Sequence, residues 1–97
     1  MKFEWDEAKA KSNFKVHGVS FELAKTVFED AFAIESFDDR MEYGEERFVT
    51  LGMADGQLLL FVAYAERGNR VRVISARRAT QHEQNEYFKQ NASTDVH

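Results

Sequence analysis

The sequence contains neither cysteine nor proline among its 97 residues. Without cysteine, the chain can form no disulfide and no thiolate metal site. Without proline, its turns must depend mainly on glycine, which occurs at only five positions. No apolar run approaches the ~20 residues that a membrane-spanning helix requires. These absences exclude a disulfide-stabilised scaffold and predict that no helix crosses a membrane.

Positively charged residues are fewer than negatively charged ones. Lysine and arginine number 13 against 17 aspartates and glutamates, giving a net charge of −4 and a pI near 5.3. This balance argues against a general nucleic-acid binder, so any polyanion must be recognised by locally concentrated charge. The first ten residues, MKFEWDEAKA, are charged and lack the apolar stretch of a signal peptide. We therefore expect a cytoplasmic protein.

The apolar content of 43% and aromatic content of 13% are enough to fill one compact core. We predict a single domain over residues 1–90 and a flexible, polar tail over residues 91–97. The pattern of residues predicts an α+β fold. Its order is a short N-terminal strand, two helices, an antiparallel sheet of three to four further strands, and a C-terminal helix.

Helix ends are marked by capping residues. Asp6 and Ser20 are placed to cap two helices, and Gly18 between them can adopt the left-handed conformation that ends a helix. Thr80 and Glu83 form a capping-box pattern, which predicts a last helix from Thr80 to about Gln90. The chain therefore has a helical hairpin near its start and one helix near its end.

Strands are predicted between these helices. Asp55-Gly56 and Gly68-Asn69 are two-residue hairpin signals. The segment from Leu58 to Ala65 is apolar at both parities, which is typical of a strand covered on both faces. The predicted strands are Ala31–Phe37, Arg47–Met53, Leu58–Ala65 and Arg70–Ala76, with a polar loop at Asp38–Glu46.

Five arginines cluster around the second hairpin, and no carboxylate interrupts the run between Glu66 and Glu83. They are Arg67, Arg70, Arg72, Arg77 and Arg78. Guanidinium groups bind phosphate oxygens in a bidentate fork, so the cluster is a candidate polyanion site. We expect Arg67, Arg77 and Arg78 to converge on one phosphate. The alternative is that the arginines solubilise a strand and pair with the flanking glutamates.

Other side chains have both a functional and a structural interpretation. His17 is either a general acid or base, or a cap at the end of the first helix. Glu66 is either a base held ionised by the arginines or their salt-bridge partner. Tyr87 either stacks on a nucleobase or belongs to the core. The carboxylates at 38–46 match no calcium-loop spacing, so we predict no metal site and no cofactor.

Two blocks of the sequence resemble the BrnT family of bacterial type II toxins. The first is FEWDEAKAKSNFKVHGVSFELA from Phe3 to Ala24, and the second is ERGNRVRVISARRAT from Glu66 to Thr80. The resemblance continues through Glu83 and Tyr87 and spans nearly the whole chain in the right order. It implies a RelE-like fold, a ribonuclease that inhibits translation and growth, and a BrnA-like ribbon-helix-helix antitoxin. Toxin and antitoxin are expected to form a 2:2 complex that binds operator DNA through the antitoxin.

On this resemblance the site residues take roles in metal-independent RNA cleavage. Arg67, Arg77 and Arg78 would hold the scissile phosphate, with Glu66 or His17 as the base. Lys15, Arg72 and Tyr87 would contact the RNA. One departure is the last helix, which carries Gln81, His82 and Glu83 where family members often carry basic residues. The alternative is therefore an attenuated toxin that binds an antitoxin and takes part in operon autoregulation without cutting RNA.

Overall fold

The computed structural model describes residues 1–38 and 45–92. Within these ranges, five strands and three α-helices follow one another in the order that the sequence predicts, and the fold is α+β. The strands are β1 (Lys2–Glu4), β2 (Ile34–Asp38), β3 (Arg47–Ala54), β4 (Leu58–Arg67) and β5 (Arg70–Arg78). The helices are α1 (Glu7–His17), α2 (Phe21–Ala24) and α3 (Gln81–Ala92), with a 3₁₀ turn at Lys25–Glu29.

The five strands form one sheet in the order β1-β5-β4-β3-β2. Strands β2 to β5 are an antiparallel meander, as predicted. Strand β1 pairs in parallel with β5, placing Phe3 beside Val71. Residue alternation in β1 marked a strand but carried no information about its partner, so this parallel pairing was not predicted.

The main core lies between one face of the sheet and the helices α1 and α2, and we call this side of the sheet the core face. Leu60, Val62 and Val73 are almost completely buried there against helical side chains such as Phe21 and Val27. Strand β4 is the central strand, which explains why its sequence is apolar at both parities.

Helix α3 covers part of the opposite face. Its Tyr87 packs with Leu51, Leu59 and Ala79 in a second cluster. The capping box at its start is confirmed: Glu83 accepts from the Thr80 amide at 2.8 Å, and the Glu83 amide donates to the Thr80 hydroxyl at 3.2 Å. No helix in the described ranges is long and apolar enough to cross a bilayer.

The predicted turns and caps are present. The first helix ends at Gly18, whose φ of 71° is the left-handed conformation expected of a C-cap. Asp55 and Gly56 both have positive φ in the hairpin between β3 and β4. Arg67 pairs with Arg70, so Gly68-Asn69 forms a two-residue turn. These positions were readable because each depends on only two or three neighbouring residues.

Element bounds differ in three places. The second predicted helix is short and continues as the 3₁₀ turn. Asp38 is not in a loop but is the buried last residue of β2, opposite Arg47. Helix α3 includes residues 91 and 92, which the sequence analysis assigned to the tail. Residues 39–44, in the predicted acidic loop, and residues 93–97 lie outside the described part of the chain.

One buried side chain joins α1 to the edge of β5. Strand β1 pairs with β5 only at residues 70–72, so Ala76 has β4 on one side but no paired strand on its β1 side. The Asn13 amide takes that place. Its Nδ2 donates to the carbonyl oxygens of Ala76 at 2.8 Å and Val19 at 3.0 Å, and its Oδ1 accepts from the Ala76 amide at 3.1 Å. Asn13 therefore substitutes for a strand neighbour.

Candidate functional site

Four arginines of the β4–β5 hairpin lie on the face of the sheet opposite the core face, and we call this side the arginine face. Directly paired residues of an antiparallel sheet point to the same side. Arg67 pairs with Arg70, Arg72 with Ala65, and Arg77 with Phe61. All of these positions share one side of the sheet. The hairpin arginines of this face are Arg67, Arg70, Arg72 and Arg77.

A β-bulge brings these arginines together. Arg72 and Arg77 are five positions apart, so strict alternation would place them on opposite faces. The pairing shifts between Ala63 and Tyr64, which leaves Ile74 without a partner residue on β4. This extra residue restores the parity and turns both arginines to the same side. The surface between Arg72 and Arg77 is formed by small residues, including the buried Ala63 and Ala65 of β4.

Carboxylates pair with three of the four arginines, which are Arg67, Arg70 and Arg77. Arg67 pairs with Glu45 at 3.0 Å, and Arg70 pairs with Glu4 at 3.3 Å. Arg72 is half-buried and makes no hydrogen bond or ion pair with any other residue in 1–38 and 45–92. Its charge is therefore available to an anion from solution.

Arg77 is the most firmly positioned cation of this face. Its two terminal nitrogens donate to the two carboxylate oxygens of Glu83 at 2.8 and 2.9 Å. Its guanidinium lies 4.2 Å from the centre of the Phe61 ring, within cation–π range. The Arg77 hydrogen bonds hold the pKa of Glu83 below its ordinary value, with help from the Thr80 amide. The pair is therefore ionised at neutral pH.

The predicted convergence of Arg67 with Arg77 and Arg78 on one phosphate is wrong. Strands β4 and β5 are antiparallel, so the end of β4 lies beside the beginning of β5. Arg67 is opposite Arg70, whereas Arg77 is opposite Phe61, six positions back along β4. That separation is about 20 Å. The prediction fails because the C-terminal ends of two antiparallel neighbouring strands lie at opposite ends of the hairpin.

Arg78 and Glu66 lie on the other side of the sheet. Arg78 is exposed and pairs with Leu60, and Glu66 is exposed and pairs with Val71, both core-face positions. Glu66 directly precedes Arg67, and successive strand residues point to opposite faces. The structure therefore does not place Glu66 among the arginines of the arginine face.

The two predicted site residues of α1 are exposed and lie at a distance from the arginine face. His17 and Lys15 occupy the last turn of α1, which packs on the core face through residues such as Ala10. His17 lies beside Val16 and Ile74 in a shallow depression at the edge of β5. Neither side chain joins the arginines across the sheet.

Tyr87 belongs to the core, so its predicted stacking on a nucleobase does not fit its position. Only 5% of the residue is exposed, and its hydroxyl donates to Asp30 Oδ2 at 2.6 Å. Asp30 also accepts from the amides of Phe32 and Met53. Although burial raises the pKa of Asp30, these hydrogen bonds hold it below its ordinary value. Asp30 thus ties the 3₁₀ turn, β3 and α3 together.

This contact predicts an alkaline transition. Burial, followed by the hydrogen bond to Asp30, raises the pKa of Tyr87 to about 12 from an unfolded value near 10. Stability from this group is complete below pH 10 and is lost as the pH rises towards 12. Between pH 10 and 11, the unfolding free energy of the wild type should therefore fall by about 1 kcal/mol more than that of Tyr87→Phe, which has no hydroxyl to ionise. Urea titrations at each pH measure the slope, and an equal slope in both proteins would contradict it.

The sequence predicts Glu83 as a cap and as a possible partner of the arginines, and both roles are present. The contact of Phe61 with Arg77 and the anchoring role of Asp30 were not predicted. Phe61 could have been found by pairing β4 against β5 from the turn at Gly68-Asn69. Among the described residues, no three histidine, aspartate or glutamate side chains group as metal ligands would.

Comparison with known proteins identifies the family. Residues 5–83 match the model of a family described as the ribonuclease toxin BrnT of a type II toxin–antitoxin system. The chain belongs to the BrnT family. The matched span contains the whole arginine face together with Glu83 and Asn13. As a family, BrnT proteins are ribonuclease toxins of type II toxin–antitoxin systems.

A solved BrnT structure has the same fold. The 1.1 Å crystal structure of the Brucella abortus ribonuclease toxin BrnT superposes with a TM-score of 0.62 and 25% sequence identity. The alignment covers 84% of this chain and 99% of the Brucella protein. No match was found among curated proteins. The BrnT family, inferred from the two sequence blocks, and the α+β fold, inferred from the residue pattern, are thereby confirmed.

Proposed function

We propose that this BrnT protein is a metal-independent endoribonuclease that binds and cuts RNA on the arginine face. The observation that carries the proposal is the bulge at Ile74, which turns Arg72 and Arg77 to the same side as Arg67 and Arg70. A cationic face of this kind suits the backbone of a single RNA strand, because it can contact successive phosphates.

The spacing of the arginines supports contacts with successive phosphates of one RNA strand, and not the binding of a single phosphate. Arg72 and Arg77 are about 15 Å apart along β5, which is too far for a single phosphate. Arg72 has no counter-ion among the described residues and is the best candidate to hold the backbone. Arg77, fixed by Glu83 and Phe61, is the best candidate to face the reacting phosphate.

RNA and protein side chains together can supply every group that the reaction requires. A base removes the proton of the 2′-hydroxyl, and the oxygen attacks the adjacent phosphorus. The bond to the 5′-oxygen breaks, and that oxygen takes up a proton. The products are a 2′,3′-cyclic phosphate and a free 5′-hydroxyl. The guanidinium of Arg77 would stabilise the negative charge that develops on the phosphorane, and such fixed charge can supply most of the rate enhancement.

Proton transfer is assigned to no single residue. Glu83 is the carboxylate in contact with Arg77, but its lowered pKa makes it a weak base. We therefore propose it as a positioning residue that orients the guanidinium. Glu66 and His17 lie away from the arginine face, and we expect Glu66→Gln and His17→Gln each to change the cleavage rate by less than about threefold. A larger loss in either would restore it as the base.

RNA cleavage in EDTA tests the proposal. The purified protein should cut an unstructured RNA at an undiminished rate and leave 5′-hydroxyl ends, which polynucleotide kinase can label directly. Loss of activity in EDTA, or 5′-phosphate ends, would contradict metal-independent transfer to the 2′-oxygen. Because few phosphates are contacted, the logarithm of the binding constant should fall with salt at a slope of only about −2 to −3.

A second function is favoured by the charge balance. Three arginines of this face are already paired with carboxylates, and the net charge is −4. An attenuated toxin that binds its antitoxin and regulates its operon would have the same paired arginines and the same negative net charge. We propose a ribbon-helix-helix antitoxin of the BrnA type as partner, in a 2:2 complex that binds operator DNA through the antitoxin. Co-purification with that antitoxin, without cleavage or growth arrest, would favour this alternative.

A further inference from the structure

A cavity of about 390 Å³ opens on the core face beside the edge strand β2, and we call it the β2 cavity. It lies on the opposite side of the sheet from the arginine face. Its lining residues come from three adjacent strands. They are Glu35, Ser36, Phe37, Phe48, Tyr64 and Glu66.

Aromatic rings form one wall of the β2 cavity. The ring centres of Phe37 and Phe48 are 5.2 Å apart, and Phe48 stacks on Tyr64 at 5.6 Å with an interplanar angle of 28°. Phe37 is 56% exposed, although it lies on a strand and touches other rings. Because Phe37 continues a contiguous group of rings, this sheet edge is a candidate interaction surface.

Two carboxylates accompany the rings, and no cation from the described part of the chain pairs with either. Glu35 accepts the hydroxyl hydrogen of Tyr64, and burial together with this contact raises the pKa of the tyrosine. Glu66 makes no hydrogen bond or ion pair with any residue in the described ranges. Within residues 1–38 and 45–92, no lysine or arginine lines the cavity. The site therefore has the aromatic faces and the negative charge that attract a cation.

We propose that the β2 cavity binds an arginine side chain of a partner polypeptide that lies along strand β2. A guanidinium can stack on Phe48 or Phe37 through its plane and donate through its edge to Glu35 and Glu66. A lysine ammonium lacks this planar fork and fits the combination less well. RNA is disfavoured, because two carboxylates would repel its phosphates.

The position of β2 explains why the partner is an extended segment. Among the described strands, β2 is the last of the sheet and pairs with β3 on one side only. Its outer edge can accept the backbone of an added strand, as in β-augmentation. Side chains of such a strand alternate between faces, so every second one would lie on the core face beside Phe37. The main chain would give affinity, and the cavity would select arginine.

The identity of the partner rests on the proposed function, because a type II toxin implies an antitoxin. An antitoxin strand on β2 would occupy the core face and leave the arginine face uncovered. Inhibition of the proposed nuclease would then require a further antitoxin contact with the arginine face, or a conformational change transmitted through β3 and β4.

The test uses a blocked heptapeptide of alternating threonine and valine with arginine at its centre. The comparison peptide has citrulline, which keeps the shape of arginine without its charge. Titration of ¹⁵N-labelled protein should give saturable binding at a Kd of about 1 mM or below. Shift changes should centre on residues 34–38, Phe48 and Tyr64. The citrulline peptide should bind at least fivefold more weakly.

Variants distinguish peptide binding in the β2 cavity from nonspecific attraction to the negative charge of the protein. Glu35→Gln and Phe37→Ala should each weaken the arginine peptide at least threefold, whereas Glu22→Gln, an exposed carboxylate on α2, should not. Equal affinity for the two peptides, absence of binding, or shifts on the arginine face would overturn the proposal. Glu35→Gln should cut RNA at the wild-type rate, so failure of the nuclease proposal is detected separately in the EDTA assay.

Discussion

Arg77→Ala is expected to lower the single-turnover rate of RNA cleavage by at least about 100-fold, the usual cost of losing one fixed donor to a developing anion. The guanidinium is held by Glu83 and by the Phe61 ring, so its charge is in place before RNA binds. Arg77→Lys retains the charge but loses the fork, and its rate should lie between those of wild type and the alanine variant.

The controls separate catalysis from charge and from folding. Lys9→Ala removes one positive charge from exposed α1 and should cut RNA at the wild-type rate. Because Arg77 also contacts α3 through Glu83, urea midpoints of all variants must be compared. An Arg77→Ala protein of wild-type stability that cuts RNA at the wild-type rate would remove Arg77 from the mechanism.

Asn13→Ala should destabilise the fold by about 3–5 kcal/mol, since three buried backbone groups lose their hydrogen-bond partner. The affected groups are the amide and carbonyl of Ala76 and the carbonyl of Val19. A loss of this size is a large fraction of the ~5–15 kcal/mol that stabilises a typical domain. The midpoint of urea unfolding measures it. The neighbouring exposed Ser12→Ala should change the free energy of unfolding by less than about 0.5 kcal/mol.

Asn13→Asp gives a sharper version of the same test. The carboxylate would still accept from the Ala76 amide but would face two carbonyl oxygens that need a donor. Its folded pKa should therefore be raised, so the variant should be less destabilised at low pH, where the protonated acid can donate. An Asn13→Ala protein within 1 kcal/mol of wild type would show that water or a local shift satisfies these groups.

The features that the sequence predicted are local. The caps at Asp6, Gly18 and Thr80 and the turn at Asp55-Gly56 were found because each depends on a few adjacent residues. The central position of β4 followed from its uniformly apolar sequence. The two toxin-like blocks identified the family because they carry residues in a fixed order over most of the chain.

The features that the sequence did not predict depend on pairing between distant residues. The bulge at Ile74 has no sequence signal, yet it decides which face Arg77 occupies. Asn13 looked like one more polar residue of α1, because its partner Ala76 is 63 positions away. The predicted phosphate grip failed for the same reason, since pairing along the hairpin separates Arg67 from Arg77.

The central claim is that RNA lies on the arginine face, and methyl NMR tests it most directly. The probe is an RNA oligonucleotide with 2′-O-methyl groups, which cannot be cut at its own 2′-oxygens. With ¹³C-methyl alanine, titration should shift Ala63 and Ala65, which lie between Arg72 and Arg77, and leave Ala10 and Ala24 of the helices unchanged. Shifts confined to the two helical alanines, or no binding at low salt, would contradict the account.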